Sequence, residues 1–108
     1  MNAMVNIEAG ICGFRTTGRV TSADDQQVGF DVETDCEKIA TLGRALKDKG
    51  AIDAYEEIGG RSVLLETARE TLTGCCAGCA VPVGLFKAMQ VAAGLALPKD
   101  IGIRLSKE

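Results

Sequence analysis

The chain contains no histidine and no tryptophan, only 4% aromatic residues, and just two prolines among its 108 residues. Without histidine, His-containing metal sites, Cys–His nucleophilic pairs and Ser–His–Asp triads are all excluded. The acid–base inventory falls to carboxylates, lysines and Tyr55, and these form no recognisable catalytic constellation, so the reading leans against an enzyme. So few aromatics require an aliphatic core of Val, Ile, Leu, Ala and Met. With a formal net charge of −3 and no basic stripe, nucleic acid is not an expected partner. No uninterrupted apolar run reaches the ~18 to 20 residues of a membrane span; the longest is Val91–Leu97. The N-terminus lacks the basic and apolar regions of a signal peptide. These absences predict a cytoplasmic protein with no membrane contact. Met1-Asn2-Ala3 reads as a leader before a start at Met4.

Apolar residues make up 46% of the chain and charged residues 25%, which describes one globular domain over 1–108 with a core large enough to need no disulfide staples. The five cysteines are an odd number, so they cannot all pair internally. In a reducing compartment such cysteines serve as metal ligands, redox groups or buried small hydrophobes.

Period-two alternation predicts strands around Val5–Ala9, Phe14–Ser22 and Val28–Val32, with a polar turn at Asp24-Asp25-Gln26. Thr34-Asp35-Cys36-Glu37 fits a capping box opening a helix whose Ile39, Leu42 and Leu46 recur at helical spacing and which Gly50 ends. Ala51–Ile58 suggests a short helical turn. Ser62 caps a second helix through Leu72, stopped by Gly74. Pro82 opens a third, nearly all-apolar helix over Val83–Ala96, expected to pack in the middle of a layer. Ile101, Ile103 and Leu105 alternate with Gly102 and Arg104 as a final strand. The predicted order is β-β-β-α-α-α-β, an α+β fold with an antiparallel sheet covered on one face by helices.

The direction of travel then places the cysteines. Cys12 follows the first strand, Cys36 follows the third, and Cys75, Cys76 and Cys79 lie between the last two helices. If sequential elements run antiparallel with short connections, all three connections fall at one pole. Two helix N-termini point to that pole as well, and their dipoles are expected to lower thiolate pKa values there. The sharpest motif is Cys76-x2-Cys79. Completed by Cys12 and Cys36, with Cys75 in reserve, it suits a thiolate site for zinc or an iron–sulfur cluster. Two readings stand beside it: a dithiol redox pair formed by Cys76 and Cys79, and an interaction module, paired with a partner protein or with itself, whose cysteines merely pack. Gly10, Gly13, Gly74 and Gly78 flank the cysteines, either letting the backbone approach a bound group or forming ordinary turns.

At Ala9-Gly10-Ile11-Cys12-Gly13-Phe14, Asp35-Cys36-Glu37, Cys79-Ala80-Val81-Pro82 and Pro98-Lys99-Asp100, the chain resembles a small uncharacterised protein family of methanogenic archaea and anaerobic bacteria. Members read Cys-Pro-Val-Pro at the third segment. Ala80 departs from that pattern and leaves the sulfur and Pro82 intact. The resemblance carries no activity. It implies an anaerobic setting that suits an oxygen-sensitive cluster. The order of elements is also similar, in fold alone, to small iron–sulfur assembly domains.

Overall fold

The computed structural model describes all residues from Met1 to Glu108. Three long strands open the chain: β1 (Asn2–Glu8), β2 (Arg15–Thr21) and β3 (Gln27–Thr34). They pair as an antiparallel meander, with Val5 opposite Gly18 and Gly18 opposite Val32. Residues that share a face by this register share a fate. Thr16, Gly18, Val20, Val28 and Phe30 are buried, whereas Met4, Asn6, Arg15, Arg19, Asp31 and Glu33 face outward. The buried face meets the helices and the polar face is bare, as the alternation predicts. Met1 and Asn2 are built into the sheet: the N-terminal ammonium donates to the Ser22 carbonyl, and Asn2 pairs with Thr21. The β2–β3 turn is closed by Asp24, whose carboxylate accepts from the backbone N–H groups of Gln26 and Gln27.

Helix α1 (Glu37–Asp48) buries Ile39, Leu42 and Leu46 and lies along β3. Its start differs from the expected capping box. Cys36 is the N-cap residue, and its side chain makes no capping bond. The Thr34 hydroxyl is still within β3, where it bonds the Thr16 hydroxyl at 2.8 Å and accepts from the Cys36 N–H at 3.1 Å. It is therefore committed two residues too early to cap the helix, and the Cys36 sulfur is left free. After Gly50 the chain makes a two-residue strand, β4 (Ile52–Asp53), against Gln27 and Val28 of β3. A single turn of helix, α2 (Ala54–Ile58), follows, capped by Asp53. The expected turn at Ala51–Ile58 is thus a strand and a helix in succession.

Helix α3 (Val63–Thr71) is capped by Ser62, which accepts from the Leu65 N–H at 2.9 Å, as the sequence suggests. A 3-10 turn over Gly74–Gly78 leads into α4 (Val81–Ala92), which opens with Pro82. Helix α4 packs on β1 and β2, and α3 packs on both α1 and α4. The expectation that α4 sits mid-layer fails. Val81, Gly84, Leu85, Ala88, Met89 and Ala92 are buried at helical spacing, while Val83 and Lys87 are exposed on the opposite side. Only one face is covered because no second layer lies beyond it. By length and composition Gly74–Ala92 is long and apolar enough to cross a membrane, which a search for uninterrupted apolar runs misses. In this fold the stretch is broken at Cys79, and the 12-residue α4 spans about 18 Å against the ~30 Å of a hydrocarbon core.

The helical layer sits close because glycine lines the contacts. A Cβ on Gly84 would lie 2.5 Å from Ile7 Cδ1, and one on Gly43 would lie 2.9 Å from Val32 Cβ. The second clash is the stiffer one, since a β-branched Cβ cannot swing aside. Gly43→Val is expected to cost about 1–3 kcal/mol through overpacking, read as a lower urea midpoint.

The expected seventh element is absent. Ile101–Leu105 forms no strand and pairs with nothing in the sheet, and Ile101, Ile103 and Leu105 are exposed. Its alternation is genuine, but the 2-residue β4, not this segment, takes the position beside β3.

Candidate functional site

Three connections meet at the pole where β1 and β3 end and α4 begins. The loop after β1 turns at Gly10 and Gly13, both at positive φ, and presents Cys12 to solvent. Neither glycine is crowded, so backbone conformation is what requires them there, not the close approach of another group. Cys36 is half-buried at the N-cap of α1. The 3-10 turn carries Cys75 outward into solvent and folds Cys76 and Cys79 partly inward; it is closed by the Cys79 N–H donating to the Cys76 carbonyl at 3.1 Å. Cys36, Cys76 and Cys79 all pack against the hydrophobic core, and all five cysteines are free thiols.

Cys79 is the hub. Burial pushes its thiol pKa up from the ordinary value of 9.0, and negative charge on Cys12, Cys36 or Cys76 would push it further. The Val81 N–H, at the start of α4, acts in the opposite direction by hydrogen bonding to the sulfur, and does not win. The helix terminus therefore fails to lower the pKa of Cys79, contrary to the sequence reading. Desolvation opposes any thiolate that lacks a countercharge. Cys79 is accordingly expected to become alkylated with a pH midpoint above that of the urea-unfolded chain. Mass-spectrometric labelling across pH 7 to 11 would read this, and a midpoint below the unfolded one would contradict it.

The cysteines at the pole do not form a ready-made ligand set. No group of three or more cysteine or carboxylate side chains is close enough together to hold a metal ion as the structure stands. Asp35 and Glu37 flank Cys36 in sequence without joining such a group. The donor chemistry of the cysteines suits a soft cation.

Sequence reasoning missed one polar residue of consequence. Glu57 is 2% exposed, and its carboxylate accepts from the Ser62 hydroxyl at 3.0 Å, the Leu64 N–H at 2.9 Å and the Val63 N–H. It caps α3 from outside the helix. The only signal available was a glutamate five residues ahead of a capping serine, across Gly59-Gly60.

Comparison with known proteins bears on identity at this point. The model of a family of unknown function, DUF6951, matches residues 3–105. The chain belongs to that family. No curated protein and no solved structure matches it. The DUF6951 match begins within β1, spans every later element described above and takes in all five cysteines.

Proposed function

We propose that the cysteine pole binds a soft metal ion or an iron–sulfur cluster, with Cys12, Cys36, Cys76 and Cys79 as ligands and Cys75 in reserve. What supports this reading is that Cys12, Cys36, Cys76 and Cys79 come from three separate connections at one end of the molecule, with Cys36, Cys76 and Cys79 packed against the same core. Inert packing thiols have no reason to come from three loops to one end. A bound cation would offset the desolvation that opposes ionisation of Cys79, and would supply Lewis-acid or electron-transfer chemistry according to its identity.

In this reading the protein is a cytoplasmic carrier or accessory factor and not an acid–base enzyme. An anaerobic setting, suggested by the family resemblance, would favour an oxygen-labile cluster. The dithiol alternative is weaker, because an antiparallel meander of three strands ahead of the helices is not the order of a thioredoxin fold.

Titration of the reduced protein with Co²⁺ tests the proposal. Ligation by several thiolates should give an intense near-ultraviolet charge-transfer band that saturates at one equivalent and is displaced by Zn²⁺. A featureless spectrum, or a band that never saturates, would count against the site.

A further inference from the structure

Strand β3 pairs with β4 only through Gln27 and Val28, which leaves the edge from Phe30 to Thr34 without a neighbour. A groove of about 440 Å³ runs along this edge between β3 and α1. Val32 and Ala40 are its apolar lining, and the charged Asp31, Glu33, Arg44 and Lys47 line most of the rest. An edge five residues long, with an open groove beside it, is a template for another strand.

The same chain carries a five-residue segment with strand alternation and no partner. Ile101, Ile103 and Leu105 are 55%, 68% and 94% exposed, although each would be buried in any ordinary strand. We propose that Ile101–Leu105 docks antiparallel on the Phe30–Thr34 edge of a second copy of the chain, so that two copies exchange strands reciprocally.

Side-chain alternation fixes the register. The apolar residues must face the groove, which sets Ile103 opposite Val32, Ile101 opposite Thr34 and Leu105 opposite Phe30. Arg104 then falls on the outer face opposite Asp31, and Gly102 opposite Glu33. Asp31 now pairs with Lys47 of α1 at 3.3 Å, and docking exchanges that exposed pair for a cross-strand one. Leu105 is the last residue that fits, because the next position along β3 is Gly29, where the chain leading into β4 begins. The edge and the segment match in length as well as in pattern.

The chain cannot make this pairing with itself. Helix α4 ends near the β2–β3 turn, where Gly94 lies beside Asp25. Antiparallel docking requires Ile101 at the opposite end of β3, beside Thr34. Seven residues reach at most about 25 Å, and the seven steps from Gln27 to Thr34 alone rise about 23 Å. The lateral offset adds to that distance, and β4 and α1 lie across the direct path. A second copy has no such restriction, and a two-fold axis makes the exchange mutual.

Sedimentation velocity of the full chain in reducing buffer, which removes disulfide dimers through exposed Cys12 and Cys75, tests the proposal together with amide hydrogen exchange. A dimer is expected at tens of micromolar, with protection at both Phe30–Thr34 and Ile101–Leu105. Ile103→Pro should give a monomer with an unchanged far-ultraviolet spectrum and thermal midpoint, apart from the loss due to dissociation. Asp31→Arg and Arg104→Asp should each weaken the dimer at least tenfold, and the double exchange should restore it. A monomer at every concentration would overturn the proposal, as would a dimer indifferent to Ile103→Pro. Protection appearing at Asn2–Glu8 in place of Phe30–Thr34, or in a monomer, would overturn the edge assignment.

Discussion

Glu57→Ala is expected to destabilise the fold by about 3 kcal/mol, because removing the carboxylate strands two helix N–H groups and a hydroxyl in a buried setting. Each unsatisfied buried donor costs roughly 1–3 kcal/mol, and bonds to a charged acceptor lie at the upper end of that range. The effect is larger than loss of an ordinary cap, which costs about 1 kcal/mol, because Glu57 engages Val63, Leu64 and Ser62 together. Its negative charge also sits at the positive end of α3. Glu57→Gln keeps one acceptor oxygen and should cost roughly half as much by the same reasoning. Urea denaturation reads both: the midpoint should fall while the slope is unchanged. A loss below about 1 kcal/mol for the alanine variant would mean that water replaces the carboxylate, and that α3 does not depend on it.

The second large effect concerns the pole. In the Co²⁺ titration, Cys79→Ser is expected to weaken binding at least roughly 100-fold, beyond the 10–100-fold typical of losing an outer-shell partner. Serine keeps the size of the side chain and removes the soft donor, so packing is nearly preserved while ligation is not. Cys12→Ser should behave similarly with no loss of stability, since Cys12 is exposed and packs against nothing in the core. Cys75→Ser should leave the affinity unchanged if Cys75 is only a spare. Binding should also fall as pH is lowered, because thiols must lose protons to bind and Cys79 holds its proton more tightly than a free cysteine. Equal affinities for the wild type and the Cys79 variant would remove the hub from the site.

Those two residues differ in how far the sequence revealed them. The place of Cys79 in the fold was legible because the topology follows from strand alternation and helix periodicity. The meander of β1, β2 and β3 and the helices beginning at Glu37, Val63 and Val81 all rest on local patterns at least five residues long. Antiparallel succession then carries the cysteines to one end without any knowledge of distances. Glu57 was not legible, because its partners lie across a Gly-Gly turn whose geometry no local pattern encodes. The 2-residue β4 escaped for the opposite reason: it is too short to show alternation and exists only because Val28 offers it an edge. Ile101–Leu105 shows the converse failure. Its pattern is that of a strand, but a strand needs a partner, and within one copy of the chain the partner is out of reach.

The capping box at Thr34–Glu37 and the lowered thiolate pKa failed by competition. The Thr34 hydroxyl bonds to Thr16 across the sheet before it can serve the helix. At Cys79, burial outweighs the N–H group that α4 offers. In both places a local rule pointed the right way and a tertiary contact proved stronger.

Purification without oxygen, followed by measurement of metal, acid-labile sulfide and the visible spectrum on the same sample, tests the central claim most directly. The account predicts either iron with sulfide and a brown chromophore, or stoichiometric zinc without colour, lost in both cases on Cys79→Ser. Neither metal nor sulfide, even after anaerobic reconstitution with iron, sulfide or zinc, would contradict it and return the cysteine pole to the role of packed, reduced thiols.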